Sequence, residues 1–390
     1  MYIVHSSKDL QEELLKWFSQ HGRHWIPWKL NENGCRPSVG EKISPYGIWI
    51  AEVMLQQTQL KVVLRYWEKW MKVFPLLDDL ANADEQEILL NWQGLGYYSR
   101  AKRLHQSSQL LIDFIGENNS LNLSCWPVEL SQWMTLPGIG RSTAGSILSS
   151  AFDLPNPILD GNVTRILSRL IASDQPILKD QKRLWNLSTQ LVPLRNSRDF
   201  NQALMDFGST FCTVHNPKCS VCPIQKFCKA FLKYDPIDFP KKNMKKVIPV
   251  QEIGIALIFN KNGELLIDQR LESSNMGGMW EFPGGKKELN ESIQKTILRE
   301  VKEELDIDID VGEKLLSFQH LYSHKKLNFV VHICQWKSGE PKALSSQKFL
   351  WVSPEKLSDF PFPAANIKII SAIYKHLGIE RLKKCKSLID

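Results

Sequence analysis

Four cysteines lie close together in one stretch of the chain, CTVHNPKCSVCPIQKFC. So compact a set does not indicate a disulfide framework, whereas thiolates spaced in this way suit a tetrahedral sulfur site that holds zinc or an iron–sulfur cluster. Structural zinc usually takes two short pairs of cysteines, and only one pair in this stretch is separated by two residues. The spacing therefore favours a cluster over zinc, with four candidate ligands: Cys212, Cys219, Cys222 and Cys228.

A second candidate site lies in REVKEELD, near the C-terminal end of the chain. Glu300, Glu303 and Glu304 are spaced so that their carboxylates share one face of a predicted helix. Clustered carboxylates repel one another unless a divalent cation offsets their charge, and oxygen ligands of this kind suit Mg²⁺ or Mn²⁺. A solvated acidic face is the simpler explanation of such a helix taken alone.

Two carboxyl groups in the first half of the chain suit acid–base chemistry. Glu52 lies among apolar residues in WIAEVMLQQTQ, so we expect a raised pKa. Asp160, in PILDGNVTRIL, precedes a predicted helix, where an aspartate serves equally well as an N-cap or as a carboxylate that faces a ligand. One protonated and one ionised carboxyl group suit the cleavage of a glycosidic bond.

A possible anion site lies between these two carboxyl groups, in LPGIGRSTAGSI at residues 136–147. The pattern predicts a helix, a Gly-x-Gly turn and a second helix. Gly138 and Gly140 let backbone N–H groups approach an anion closely, and the N-terminus of the second helix attracts negative charge. Tight turns of this kind also occur for purely structural reasons.

The elements that position these residues divide the chain into segments. Apolar residues recur at helical spacing in residues 1–233, which we predict to be all-helical. Residues 234–250, rich in lysine and proline, are predicted to be a basic linker. Strand patterns and one helix predict an α/β domain at 251–375, followed by a C-terminal tail at 376–390.

Composition and charge narrow the function classes. The chain is 43% hydrophobic and 23% charged, which excludes a disordered protein, and it has neither a secretory signal nor a long apolar run. We therefore expect a cytoplasmic protein with no membrane association. Residues 141–250 hold 16 basic and 8 acidic residues, an excess typical either of a nucleic-acid-binding surface or of a solvated basic one.

Several stretches together resemble a known family. AEVMLQQTQL, WQGLGYYSRAKRLH, LPGIGRSTAGSI, ILDGNVTR, NQALMDFGSTFC and the cysteine stretch resemble, in this order, the adenine DNA glycosylases of the MutY type. These enzymes belong to the helix-hairpin-helix superfamily. The resemblance implies one [4Fe–4S] cluster on the four cysteines and, as substrate, double-stranded DNA in which adenine is paired with 8-oxoguanine. We further expect a monomer that acts at the nucleoid.

The resemblance also implies roles for the candidate catalytic residues. Glu52 resembles the acid that protonates the flipped adenine, Asp160 the carboxylate that stabilises the sugar cation, and Asn162 the amide that helps to hold that centre. Ser142 stands where endonuclease III-like lyases carry a lysine that attacks the sugar. We therefore predict a monofunctional glycosylase; the alternative is an endonuclease III-like glycosylase and lyase that acts on oxidised pyrimidines.

Three further residues resemble family positions that contact the lesion. Extruding a base costs a few kcal/mol, so a side chain must fill the gap. Gln57 and Tyr97 match residues that intercalate beside the lesion, and Trp28 resembles an aromatic residue of the base pocket. Core packing is the alternative for Tyr97 and, still more, for Trp28.

The residues that precede the acidic helix indicate a function for it. EFPGG and the residues that follow it resemble the Nudix box, which implies metal-binding or catalytic roles for Gly285, Arg299, Glu300, Glu303 and Glu304. The C-terminal domain of MutY-type proteins resembles MutT, which hydrolyses 8-oxoguanine nucleoside triphosphate, but its box is usually degenerate. This chain retains nearly the whole box.

Two hypotheses for this domain remain open. As a binding module, it senses 8-oxoguanine in DNA through Tyr322, Ser323 and His324, which resemble a MutY loop. As an enzyme, it also hydrolyses an oxidised nucleotide, whose purine would be recognised by Asn366, a match to MutT. Asp306 stands where the box expects glycine, so we expect strain at the helix exit.

Overall fold

The computed structural model describes residues 7–241, 249–322 and 325–379. Contacts divide these residues into two units. The first holds the chain up to Asn82 and from Arg103 to the linker, and the second holds Ala83–Lys102 together with the C-terminal part. The domain boundaries predicted from the sequence did not separate residues 83–102 from the rest of the helical half.

The described residues before the linker form helices and no β-strand, as predicted. In chain order the helices are α1 (Ser7–His21), α2 (Pro45–Leu55), α3 (Leu60–Val73), α4 (Leu77–Asn82), α5 (Glu85–Trp92), α6 (Ser99–Ile115), α7 (Leu130–Met134), α8 (Arg141–Phe152), α9 (Gly161–Ile171), α10 (Ile177–Leu191), α11 (Ser197–Thr210) and α12 (Lys229–Lys233).

The main core of the first unit forms between α1, α9, α10 and α11. Helix α1 contributes Leu10, Leu14, Trp17 and Phe18, whose spacing places them on one helical face. They pack with residues such as Phe207, which is fully buried on α11. Burying such a face stabilises the fold by roughly 25 cal/mol per Å² of apolar surface.

Helices α2, α8 and α9 carry the sequence-predicted site. Helix α2 begins with Pro45, whose fixed φ suits a first helical position, and is apolar and buried on almost every side. Helix α8 begins after Gly140, and α9 begins after Asp160, whose side chain accepts a hydrogen bond from Val163 N. The N-cap interpretation of Asp160 is therefore confirmed, and it leaves the functional interpretation open.

The second unit contains a mixed sheet and two helices after the linker. The strands are β1 (Val250–Phe259), β2 (Leu265–Arg270), β3 (Trp280–Glu281), β4 (Gly284–Lys286), β5 (Asp308–Tyr322), β6 (Lys325–Ser338) and β7 (Ser346–Val352), and the helices are α13 (Ile293–Leu305) and α14 (Ala364–Leu377). The strand order is β3-β2-β1-β6-β5; β4 also pairs with β1, and β7 with β2. Strands β1 and β6 are parallel, and the other paired strands are antiparallel.

Side chains of this sheet pack on both of its faces. On β1, Ile255 and Leu257 belong to the core that includes α14, whereas Ala256 and Ile258 belong to the core that includes α13. This alternation follows from the two-residue period of a strand. The predicted order of an all-helical half followed by an α/β domain is confirmed.

The backbone at the end of α13 agrees with the expectation for Asp306. Asp306 is the C-cap, with φ 55° and ψ 32° in the left-handed region. Its carboxylate pairs with Lys302 at 3.2 Å and with Lys342 at 2.9 Å. Aspartate tolerates this backbone better than most residues, although less well than glycine.

No helix within the described ranges combines the length and apolar character needed to cross a lipid bilayer.

Candidate functional site

A cavity of about 330 Å³ in the first unit is lined by both predicted catalytic carboxyl groups. Glu52 reaches it from α2, and Asp160 and Asn162 reach it from the start of α9. Trp28 and Ser142 also line it. The fold thus brings together five of the residues singled out in the sequence.

The pKa of Glu52 is shifted far from its ordinary value. Burial of the carboxyl group raises the pKa to about 7, and the charge of Asp160 acts in the same direction. The Ser146 hydroxyl, which donates a hydrogen bond of 2.8 Å to Glu52 Oε1, and the charge of Lys29 oppose this rise. Near neutral pH, Glu52 therefore exists in both its protonated and its ionised form.

The carboxylate of Asp160 is fixed by two hydrogen bonds. Val163 N donates to Oδ1 at 2.8 Å, and Asn162 Nδ2 donates to Oδ2 at 3.1 Å. Asn162 Oδ1 in turn accepts from Arg165 Nη2 at 3.0 Å, and Arg165 is itself buried. Sequence reasoning missed Arg165, which orients Asn162 and, through it, Asp160.

Ser142 and the hairpin glycines have structural partners. The Ser142 hydroxyl accepts a hydrogen bond of 2.9 Å from Leu159 N, and this bond fixes the residue before Asp160. Gly138 has φ +79°, and a Cβ added there would lie 3.1 Å from Arg103. Gly140 has open space around its Cα, consistent with a backbone that a ligand can approach.

A buried ion-pair cluster that the sequence did not reveal lines the same cavity. Lys29 Nζ lies 3.0 Å from Asp206 Oδ2, and Arg23 N donates to the same oxygen at 2.8 Å. Burial opposes the ionisation of Asp206, but Lys29 and Arg23 outweigh it and lower its pKa. Burial lowers the pKa of Lys29 to about 8, although Asp206 acts in the opposite direction. Because these residues are far apart in the chain, no spacing pattern indicated the cluster.

The predicted base-pocket and wedge residues differ in their surroundings. Trp28 is 7% exposed and lies against Trp67, with ring centroids 5.4 Å apart, so that it both packs in the core and lines the cavity. Gln57 is exposed after the end of α2, with φ 60°. Tyr97 belongs to the second unit; it is 42% exposed and has φ 50°.

Arg100, which was not predicted from the sequence, supports the loop that carries Tyr97. It is 6% exposed, and its Nη2 donates to Leu95 O at 3.2 Å and to Gly96 O at 3.0 Å. Its guanidinium carbon lies 5.5 Å from the centroid of the Tyr97 ring. Arg100 thus contacts both the backbone and the aromatic side chain of this loop.

The four cysteines of the predicted cluster line one small cavity of about 30 Å³, together with Arg169 and apolar residues. Burial raises the pKa of Cys222 to about 12 and also raises the pKa values of Cys219 and Cys228, and the neighbouring sulfurs add to each rise. Arg169 Nη1 donates to Cys212 Sγ at 3.2 Å. Four sulfurs that must lose their protons together need a strongly cationic group between them.

In residues 7–241, 249–322 and 325–379, no group of three or more histidine, cysteine or acidic side chains is arranged to hold a single metal ion. The four thiols instead surround a space. A donor set made only of sulfur suits an iron–sulfur cluster or zinc.

In the second unit, Arg299 occupies the centre of the acidic helix. It pairs with Glu291 at 2.9 Å, Glu300 at 3.0 Å and Glu303 at 3.2 Å. Part of the carboxylate charge predicted to attract a cation is therefore balanced by this guanidinium. A Cβ at Gly285 would lie 2.2 Å from Glu300 Cδ, so a larger residue at this position would displace the Glu300 carboxylate.

Behind these residues lies a set of buried and half-buried acids, two of which the sequence did not indicate. Burial raises the pKa of Glu304 to about 8, and Gly284 N donates to its Oε2 at 3.1 Å. Burial also raises the pKa values of Asp268 and Glu281, which pair across β2 and β3. Asp268 is 3% exposed, and its Oδ1 has no hydrogen-bond partner among the residues described.

A second cavity, of about 460 Å³, lies within the second unit. Its lining includes Tyr97, Gly285, Tyr322 and Asn366, which the sequence had singled out for different purposes. Asn366 is 7% exposed. Ser323 and His324, predicted to contact 8-oxoguanine, lie outside the described residues.

Comparison with known proteins gives matches over both halves of the chain. Residues 50–192 match the HhH-GPD superfamily of base excision DNA repair proteins, and residues 254–372 match the NUDIX domain. The adenine DNA glycosylase of Buchnera aphidicola subsp. Acyrthosiphon pisum is 35% identical over 323 residues, which cover 82% of this chain and 83% of that protein. The adenine DNA glycosylases of Mus musculus and Homo sapiens are 32% and 30% identical, over 83% and 88% of this chain and 70% of each relative.

Proposed function

Since this chain belongs to the adenine DNA glycosylases, it is a base-excision repair hydrolase that removes adenine from DNA, and we propose that its substrate is adenine paired with 8-oxoguanine or guanine. This membership confirms the family resemblance seen in the sequence. The observation that carries the catalytic proposal is the cavity that Glu52 and Asp160 share.

In this proposal, Glu52 donates the proton that makes adenine a better leaving group. With its pKa raised to about 7, the carboxyl group carries a proton in a large share of molecules at neutral pH. Because Ser146 donates to Oε1, the transferable proton belongs on Oε2. General acid catalysis of this kind contributes roughly 100-fold to 10,000-fold to the rate.

Asp160 would stabilise the positive charge that develops on the sugar as the glycosidic bond breaks. A carboxylate already held in place needs no reorganisation at the moment of reaction. Val163 N and Asn162 supply this hold, and Arg165 keeps Asn162 in position. Charge stabilisation of this kind suits an oxocarbenium-like transition state.

We propose that the reaction stops at base release. The residue at the position of the lyase nucleophile is Ser142, whose hydroxyl is engaged with Leu159 N. The cavity does contain one amine, that of Lys29, but Asp206 pairs with it at 3.0 Å. Trapping with borohydride should therefore give little covalent protein–DNA adduct. A high yield would favour the endonuclease III-like alternative.

Binding of the duplex would use residues of both units. We propose that Gly138 and Gly140 approach a phosphate through their backbone, that Gln57 and Tyr97 fill the gap left by the flipped base, and that Trp28 contacts the adenine. Stacking on an aromatic ring returns roughly 1–3 kcal/mol per base, which offsets the cost of extrusion. The basic excess in residues 141–250 would strengthen the attraction to DNA.

We propose that Cys212, Cys219, Cys222 and Cys228 hold one [4Fe–4S] cluster. When bound, the cluster supplies the positive charge that lets the four sulfurs remain deprotonated. Arg169 supports the site through its bond to Cys212 Sγ. The surrounding loop also presents Lys218 and Lys226 to solvent.

For the second unit we propose the recognition of 8-oxoguanine in DNA, with Tyr322, Ser323 and His324 as the sensing residues. A second candidate is the hydrolysis of an oxidised nucleotide with Mg²⁺ or Mn²⁺. The close fit of Gly285 against Glu300 favours it, and the pairing of Arg299 with these acids argues against it. In the hydrolytic reading, Glu303 and Glu304 would complete the metal site and Asn366 would contact the purine.

Incubation of the protein with 8-oxo-dGTP and Mg²⁺ separates the two candidates. Pyrophosphate release that disappears in Glu303→Ala supports hydrolysis. If the unchanged protein releases no more pyrophosphate than Glu303→Ala does, recognition of 8-oxoguanine remains the only proposed role of this unit. We retain the monomeric state and action at the cytoplasmic nucleoid as predictions.

The test of the principal function is the release of free adenine from duplexes with a single central adenine. The protein should release adenine opposite 8-oxoguanine and guanine, and much less opposite thymine. Glu52→Gln should lower the rate at least about 100-fold, whereas Glu68→Gln, a change at an exposed residue of α3, should not. Equal activity of Glu52→Gln and the unchanged protein would refute the catalytic proposal.

A further inference from the structure

The segment from Ala83 to Lys102 is attached to the C-terminal part of the second unit at three points. The Gln86 side chain bridges two groups there: its Nε2 donates to Gly278 O at 3.0 Å, and its Oε1 accepts from Trp280 Nε1 at 3.2 Å. Trp280 is 3% exposed, so both of these hydrogen bonds belong to a well-packed region. A glutamine that uses both ends of its amide fixes position as well as distance.

The second point is an ionic bridge centred on Lys102. Its Nζ pairs with Glu85 at 2.8 Å and with Glu272. A Cβ added at Gly278 would lie 2.9 Å from Lys102 Nζ and 3.0 Å from Glu272 Oε1. The bridge thus closes directly over the glycine whose carbonyl Gln86 binds.

The third point is the Tyr98 hydroxyl, which donates to Phe362 O at 3.3 Å. Tyr98 is 3% exposed. Tyr97 therefore lies in the chain between the attachments of Gln86 on one side and of Tyr98 and Lys102 on the other. Its ring lines the cavity of about 460 Å³ together with Tyr322 and Asn366.

We propose that Gln86 and Lys102 are positioning residues that hold the Tyr97 loop in register with the C-terminal part of the unit, so that recognition of oxidised guanine by that part sets the position of the Tyr97 side chain in the DNA. The inference rests on the proposed function. A base in this cavity meets side chains from both segments, and its contacts are simultaneous only while the attachments hold. Without these attachments, the C-terminal part of the unit still binds oxidised guanine, but its preference for that base no longer affects the rate of adenine excision.

The test compares single-turnover adenine release from two duplexes, one with adenine opposite 8-oxoguanine and one with adenine opposite guanine. Gln86→Ala in the full chain should slow release opposite 8-oxoguanine about fivefold to tenfold, the effect of losing one or two hydrogen bonds. Release opposite guanine should change less than about twofold. Lys102→Met should act in the same direction, and Lys102→Arg should restore most of the preference. Gln106→Ala, a change at an exposed glutamine of α6, is the matched control.

An unchanged ratio of the two rates in both Gln86→Ala and Lys102→Met would overturn the inference. So would an equal fall in both rates accompanied by a lower melting temperature, because this indicates a structural role alone. If the unchanged protein releases adenine from neither duplex, the proposed function fails first, and this outcome is distinguishable from the others.

Discussion

The Ser146 hydroxyl donates a hydrogen bond of 2.8 Å to Glu52 Oε1, and it thereby joins helix α8, which follows the Gly-x-Gly hairpin, to the proposed acid on α2. This bond stabilises the ionised form of Glu52, whereas burial stabilises the protonated form. Burial has the larger effect, and the pKa comes to about 7. The hairpin helix therefore helps to set the protonation of the carboxyl group, in addition to its proposed contact with DNA.

The pH dependence of adenine release follows from this balance. If protonated Glu52 is the active form, the single-turnover rate should fall as pH rises through about 7. Ser146→Ala removes a group that lowers the pKa, so the fall should move to higher pH. Ser149→Ala is a control in the same helix, because the Ser149 hydroxyl donates to Ser146 O and does not contact Glu52. A profile that is flat between pH 6 and about 9 would count against Glu52 as the acid.

Arg100 should control the Tyr97 loop. Arg100→Met removes the bonds to Leu95 O and Gly96 O, a loss of about 1–3 kcal/mol where the carbonyl groups stay buried. We expect Arg100→Met to bind a duplex that contains 8-oxoguanine about tenfold or more weakly than the unchanged protein does. Titration of a labelled duplex measures this affinity. Arg65→Met changes an exposed arginine of α3 and should have little effect. Unaltered affinity in Arg100→Met would show that the loop keeps its place without this residue.

Substitutions at the four-cysteine site should differ in how much iron the protein retains. Cys222→Ser should remove iron and lower the melting temperature, since losing the cluster also removes the link that it would form among the four cysteines. Arg169→Met, which lacks the donor to Cys212 Sγ, should retain iron but lose it faster to a chelator. Cys35→Ser is the control, because Cys35 is exposed. Iron content and visible absorption measure each step. Full iron content in Cys222→Ser would exclude that residue as a ligand.

The acids of raised pKa in the second unit should make stability depend on pH. Burial raises the pKa of Glu304 from 4.5 to about 8, so the folded protein binds more protons than the unfolded chain between these values. The free energy of unfolding should therefore fall as pH rises through this window. Asp268→Asn, which removes one buried acid of raised pKa, should reduce that slope. Urea unfolding at several pH values measures it, and Asp359→Asn, at a more exposed acid, is the comparison. Identical slopes in both variants would contradict the assignment.

Local patterns predicted the elements that carry the chemistry. The apolar run around Glu52 gave both α2 and the raised pKa, and the preference of aspartate for an N-cap gave the start of α9 at Asp160. The short run EIGIALIF, rich in β-forming residues, predicted β1. In each case the signal lies within a few residues, where spacing and propensity determine structure.

The features that were missed depend on distant contacts. Strand β5 has three irregularities in its pairing with β6, so its side chains do not alternate regularly in the sequence. The pairing of Lys29 with Asp206 joins residues 177 positions apart, and no local pattern reports such a contact. The same holds for Gln86 and Gly278, separated by 192 positions. The neutralisation of Glu300 by Arg299 required side-chain geometry that spacing does not give.

The membership of residues 83–102 in the second unit has a consequence for protein engineering. A chimera of two relatives joined at the linker would combine the Gln86 of one parent with the Gly278 and Trp280 of the other. In such a chimera, the residues on the two sides of these contacts would come from different parents and need not fit each other. Exchanging residues 83–102 together with the C-terminal part of the second unit would keep these contacts within one parent. Functional chimeras of relatives should therefore be joined at the ends of these segments and not at the lysine-rich linker alone.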